Sequence, residues 1–109
     1  MSLELFAKTV GIRQPTYLNR LIINGHTTAT QMKNPKTNAM QSYVTTADAR
    51  RFHQNFYTLR TLAKETGHSW QKLSGILAMH EITPFSPKGI DYGRIFSKSD
   101  IEFAFPKAL

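Results

Sequence analysis

The chain has 109 residues, with 14 Lys+Arg against 7 Asp+Glu, a net charge of +7 and a pI near 10.0. That is the size of one ordinary domain or two small ones, and the charge of a protein whose partner is a polyanion. The absence of cysteine excludes a disulfide framework and a thiolate zinc site, and no apolar run approaches the roughly 20 residues that span a bilayer. Met1-Ser2-Leu3-Glu4 lacks the basic and apolar regions of a signal peptide, so a soluble, cytoplasmic protein with no membrane partner is expected.

In chain order, Leu3, Phe6, Ala7 and Val10 fall on one face at helical spacing and predict a helix over 3–10 that stops at Gly11. Pro15 suits a first helical position, and Tyr17, Leu18, Leu21 and Ile22 form the apolar stripe of a second helix, ended by Asn24-Gly25. Residues 26–44 lose helical spacing. Asn34-Pro35-Lys36-Thr37-Asn38 is a turn sequence and Tyr43-Val44-Thr45 favours a strand, which predicts a β-hairpin with Lys33 and Lys36 at its tip. Thr45 or Thr46 then caps a third helix over 47–56, with Phe52 and Phe56 inward and Arg50 and Arg51 outward.

The order repeats. A helix over 59–66, a turn at Gly67, an N-cap at Ser69 and a helix over 70–80 are followed by irregular backbone at Pro84 and Pro87-Lys88-Gly89. A strand over 92–96 leads to a helix over 100–105, stopped by Pro106. Shifting the chain by 56 positions places Leu3, Ala7, Lys8, Gly11, Leu21 and Thr27 on Leu59, Ala63, Lys64, Gly67, Leu77 and Thr83, six identities in 25 ungapped positions. From Ser42 onward the offset becomes 52, so the first copy carries four extra residues in its hairpin. Each copy is expected to run helix, turn, helix, hairpin, helix. The expected cores hold Phe6, Ala7, Leu21 and Phe52 in one copy and Leu62, Ala63, Leu77 and Phe96 in the other.

The second copy has Ala63, Gly67-His68-Ser69, Leu73, Leu77, Ile82 and Pro84, a basic loop, then Arg94, Phe96, Asp100-Ile101 and Phe103. This string resembles the winged helix-turn-helix of phage excisionases and MerR-type regulators. In that family the last strand of the wing carries an Arg-x-aromatic step and runs into a helix opening with Asp-Leu or Asp-Ile. The resemblance covers most of 59–105 and, more loosely, 3–56. It implies an α+β, mainly α fold of two tandem winged helix-turn-helix units, 1–56 and 57–109, packed directly together.

In a helix-turn-helix the exposed residues around the start of the second helix face the major groove. In the first copy these are Arg13, Gln14, Thr16, Asn19 and Arg20, side chains able to read guanine and adenine edges. Their counterparts are Ser69, Trp70, Gln71, Lys72 and Ser74, of which Gln71 and Lys72 are candidate contacts. Trp70 is either a wall against sugar and phosphate or a packing residue. Lys33, Lys36, Lys88 and Arg94 sit at the expected wings and suit phosphate contacts. Residues 1–56 carry seven basic and two acidic side chains, residues 57–109 seven and five. The first copy is therefore expected to do most of the base reading.

The four histidines show no metal-ligand spacing, and there is no Gly-rich phosphate loop or Gly-x-Ser-x-Gly. Asp48 and Asp100 are placed as helix caps. No enzyme activity, cofactor or metal is expected. The expected function is sequence-specific binding of double-stranded DNA, as an excisionase-like recombination accessory factor or small transcriptional regulator, with a recombinase or other protein as a further partner. The alternatives are a protein-interaction module on the same scaffold, or the DNA-binding part of a longer protein. Oligomeric state and target sequence are not legible in the sequence.

Overall fold

The structure, a computed structural model, describes residues 1–105. These form a compact α+β body with six helices and two small antiparallel sheets, about half helical. The helices are α1 (Leu3–Val10), α2 (Pro15–Ile23), α3 (Thr46–Asn55), α4 (Leu59–Thr66), α5 (Trp70–Met79) and α6 (Lys98–Ala104). The strands are β1 (Thr30–Lys33), β2 (Met40–Tyr43), β3 (Phe56–Thr58) and β4 (Ile95–Ser97). The expected stop at Pro106 lies outside the described residues.

Helix ends follow the repeat at the level of single hydrogen bonds. Ser2 and Thr58 cap α1 and α4, accepting from Leu5 N and Thr61 N; Thr45 and Ser97 cap α3 and α6, accepting from Asp48 N and Asp100 N. Gly11 and Gly67 end α1 and α4 at φ 85° and 74°, a conformation that a Cβ disfavours. α2 and α5 both close by a Schellman turn: His26 N donates to Leu21 O at 2.9 Å, and Ile82 N donates to Leu77 O at 2.8 Å. The left-handed residue is Gly25 in one copy and Glu81 (φ 56°) in the other.

The hairpin β1–β2 pairs Thr30 with Tyr43 and Lys33 with Met40, as expected for 26–44. The expected second hairpin is absent, which corrects the reading of 82–96. β4 starts at Ile95 rather than Tyr92 and pairs with β3, the short strand just before α4, with Tyr57 opposite Phe96 and Thr58 opposite Ile95. Pro84 and Pro87 lack the N–H that a ladder needs. Residues 83–94 therefore form an irregular strap, with a single 3₁₀ turn at Pro87–Gly89. The first unit has a reduced version of the same closure. Ser2 bridges Tyr43, and Met1 and Val44 exchange backbone bonds of 2.9 and 2.7 Å. Ser2–Tyr43 and Thr58–Ile95 are equivalent pairs under the offsets of 56 and 52.

The β3–β4 ladder is buried on both faces and divides the interior. Phe56 and Ile95 face one core with Phe6, Ala7, Val10, Leu18, Leu21 and Phe52. Tyr57 and Phe96 face the other, with Leu62, Leu73, Leu77 and Ile101. Strand side chains alternate faces, so two adjacent aromatic residues are enough to feed two cores. Of the expected core residues only Ala63 is half-buried, at the edge of the second cluster. The strap contributes to the first core: Tyr92 is fully buried there, stacked on Phe85 at 5.7 Å.

Candidate nucleic-acid interface

The turn between α1 and α2 is held from both sides. Ile12 N donates to Ala7 O and its side chain is buried, which leaves Arg13 exposed at the entry to α2. Across the unit boundary, Arg60 Nη1 donates to Lys8 O at 2.7 Å, and the Thr58 hydroxyl donates to Val10 O. A Cβ on Gly11 would lie 2.9 Å from Arg60 Cβ, so the turn after α1 sits directly on the start of α4. This docking sets Arg13 beside Arg60.

The strap completes the arrangement by crossing α2. The Arg20 guanidinium donates to Asp91 O and lies 5.9 Å from the Tyr17 ring centre. Asn24 Nδ2 donates to Tyr92 Oη at 2.8 Å, and Gly93 packs against the Tyr17 ring. His26 lies edge-on to Phe85 and Tyr92, at 5.0 and 5.3 Å, beneath the strap.

The result is a cleft of about 590 Å³ where the starts of α2 and α5 meet. Arg13 and Tyr17 line it from the first unit; Arg60, Trp70, Pro84, Asp91 and Arg94 line it from the second. Three arginines and one aspartate line it, and the Asp91 Oδ1 is engaged by Gly93 N at 2.8 Å. Planar guanidinium groups beside aromatic rings can pair with phosphate oxygens and stack on bases.

The sequence-selected residues fall into three places. Arg13, Gln14, Thr16, Asn19 and Arg20 share the exposed start of α2, and Arg20 is tethered to the strap through Asp91. Gln71 and Lys72 are exposed beside Trp70 at the start of α5; Trp70 is itself 51% exposed on the cleft and is not a core residue. Arg94 joins the cleft, while Lys88 stands on the exposed 3₁₀ turn of the strap. Lys33 and Lys36 are on the hairpin, exposed and away from the cleft-lining set. Arg60 and Tyr17 are among the cleft residues that the sequence did not mark as contacts. Arg60 lies in the helix over 59–66 with no role legible in the sequence, and Tyr17 belongs to the apolar stripe of the second helix; only the contact between units brings them to the cleft.

Three titratable groups are shifted by their surroundings. Asp48 accepts from the hydroxyls of Thr28, Thr30 and Thr45 at 2.8–2.9 Å and from Thr45 N at 3.0 Å. Burial pushes its carboxyl up, but these four bonds outweigh that and leave it below its ordinary value. His53 is lowered by burial, with Glu65 raising and Lys64 lowering it, and the Tyr57 phenol is pushed up to about 12 by burial and by Glu65. Each shift holds the group more firmly in its ordinary neutral-pH state. Among the described residues no cluster of three or more His, Asp or Glu is placed to hold a metal ion, and no helix is long and apolar enough to cross a membrane. No protein-family model matches the chain, and no curated protein or solved structure shows a significant similarity to it.

Proposed function

We propose that this chain binds double-stranded DNA sequence-specifically, through two tandem winged helix-turn-helix units over 1–56 and 57–109 of the excisionase and MerR-like kind. The reading is of a cytoplasmic, non-catalytic, cofactor-free protein that serves as a recombination accessory factor or a small transcriptional regulator. The observation that carries it is the convergence of the two exposed second-helix starts on one cleft lined by Arg13, Arg60 and Arg94. In this arrangement the α2 start reads bases and the second unit grips the backbone or a neighbouring protomer.

The test is a mobility shift on random duplexes at two salt concentrations, followed by selection of the bound sequences. For about six phosphate contacts the log–log salt slope should be near −5. Arg13→Ala or Asn19→Ala should cost about 1–3 kcal/mol on the selected site and relax preference at one or two base positions. Lys88→Ala should weaken all sequences alike and reduce the slope by about one. If Lys72→Ala changes base preference and Arg13→Ala does not, the reading helix is α5.

A protein-docking reading has an observation of its own. Ile23 and Met79, equivalent ends of α2 and α5, are 73% and 72% exposed, and Phe103 is 75% exposed. If every duplex binds more weakly than the roughly 10⁻⁴ M typical of non-specific binding, this reading replaces the first.

A further inference from the structure

The α2–α5 cleft combines two kinds of side chain that an intact duplex does not use together. Leu59, Trp70 and Pro84 give it apolar wall, and Arg13, Arg60 and Arg94 bring cations from three separate stretches of the chain. Trp70, the chain's single tryptophan, is 51% exposed there. An indole left half in water gains from a flat apolar group that covers it. In paired DNA each base keeps its faces on its neighbours and offers only its edges and its phosphates. An unstacked base has a free face, and aromatic side chains hold unpaired strands by stacking on it.

The walls are set in advance. Arg60 Nη1 donates to Lys8 O at 2.7 Å, which fixes the guanidinium and leaves most of its five donors for an anion. Tyr17 is packed against Gly93 of the strap, where an added Cβ would lie 2.8 Å from Cδ2. Gly93 is fastened in turn to Asp91 Oδ1 through its N–H at 2.8 Å. Walls held in this way spare a ligand the cost of ordering them. The cleft volume of about 590 Å³ falls within the roughly 300–1,000 Å³ of small-molecule sites. Three arginines against one aspartate leave the lining positive. Asp91 adds an acceptor that suits the amino group of a base and disfavours a second phosphate.

We propose that the cleft binds one unstacked nucleotide, with its base against Trp70 and its phosphate among Arg13, Arg60 and Arg94. A free nucleotide and an unpaired nucleotide of a DNA strand present this same chemistry. The strand-borne form rests on the duplex-binding reading above; the free form stands without it.

The single tryptophan serves as the probe. Fluorescence of the intact chain is titrated with the deoxynucleoside 5′-monophosphates, with deoxyribose 5-phosphate, with an intact duplex, and with the same duplex carrying one bulged nucleotide. Saturable quenching by a monophosphate marks a free ligand, and quenching by the bulged duplex alone marks a strand-borne one. Deoxyribose 5-phosphate should not quench. The double variant Arg13→Ala, Arg94→Ala should weaken the quenching ligand by about tenfold or more. Trp70→Leu should weaken it about tenfold by calorimetry. Arg50→Ala, exposed and outside the cleft-lining set, should bind as the wild type does. All variants should unfold at the wild-type temperature, since the substituted side chains are exposed. Quenching by neither the monophosphates nor the bulged duplex overturns the inference. So does quenching that survives the double variant, or that the intact duplex matches. Duplex binding in the mobility shift is untouched by those outcomes, and its reading then stands alone. Quenching by a monophosphate with no duplex bound upholds the free-nucleotide site and overturns the duplex reading instead.

Discussion

The arm (26–44) and the strap (83–94) follow equivalent Schellman turns in the repeat, yet they go opposite ways. Beyond its anchored root the arm pairs its own backbone, through two strands and an interlocked turn between Thr30 and Tyr43. Its Thr, Gln, Lys and Asn side chains gain nothing from burial. The strap has Pro84 and Pro87 where ladder donors would be needed, and carries Phe85, Ile90 and Tyr92, which gain most by leaving water. The core it reaches belongs to the other unit, whose α2 it crosses. The segment of one copy thus stays exposed, while that of the other fastens the two halves of the molecule together.

That contrast is open to direct test, and the largest effect should come from the strap. Tyr92→Ala should destabilise by about 3–5 kcal/mol in chemical denaturation, through a lost buried ring and a lost partner for Asn24. Met32→Ala and Met40→Ala on the arm should stay within about 0.5 kcal/mol. Arm variants as damaging as Tyr92→Ala would mean that the arm is packed.

Gly93 should be next. Its φ is +78° and an added Cβ would lie 2.8 Å from Tyr17 Cδ2, so Gly93→Ala combines backbone strain with overpacking, about 2–4 kcal/mol in all. Gly89 has φ +74° with open space around it, and Gly89→Ala should cost about 1–2 kcal/mol. Equal losses at the two sites would show that the strap does not press on α2.

The root of the arm should respond to acid. The folded-state carboxyl of Asp48 titrates below its ordinary value of 3.8. Its contribution is therefore complete above that value and is lost as pH falls through 3.8 and on through the lower folded value. Asp48→Asn should cost about 1–3 kcal/mol at pH 7 and flatten the fall in stability below pH 4 seen by circular dichroism of the wild type. An unchanged acid profile would remove Asp48 from the arm's anchorage.

The smallest expected effect lies where the two copies part. Thr27 is buried with no partner for its hydroxyl among the described residues, while its counterpart Thr83 is exposed. Thr27→Val should raise stability by up to about 1 kcal/mol, and Thr83→Val should leave it unchanged. A loss at Thr27→Val would show that its hydroxyl finds a partner in solution.

Several features were legible because their causes are local. Gly11 and Gly67 mark left-handed ends, Thr45 with Asp48 marks a helix start, and Asn34-Pro35 marks a turn. Arg13, Gln14 and Asn19 were placed at the start of α2 by the positional rule for a helix-turn-helix, and they are exposed there. The cleft was not legible, since Arg60 and Tyr17 acquire their place from the other unit. β3 was also hidden. A three-residue strand is too short to show a period, and its partner lies nearly forty residues further on.

The amino-acid sequence by itself determined the duplicated helix–turn–helix order, the caps that bound it, the first hairpin and the basic character of its surface, because each depends on residues within a turn or two of one another. Tertiary structure alone decided that Phe56 and Tyr57 would feed two cores from one ladder, that the segment after α5 would become a strap, and that residues at the starts of α2 and α5 would share a cleft. Those outcomes turn on which apolar surface the aromatic residues of the strap can reach, and burial has no direction along the chain.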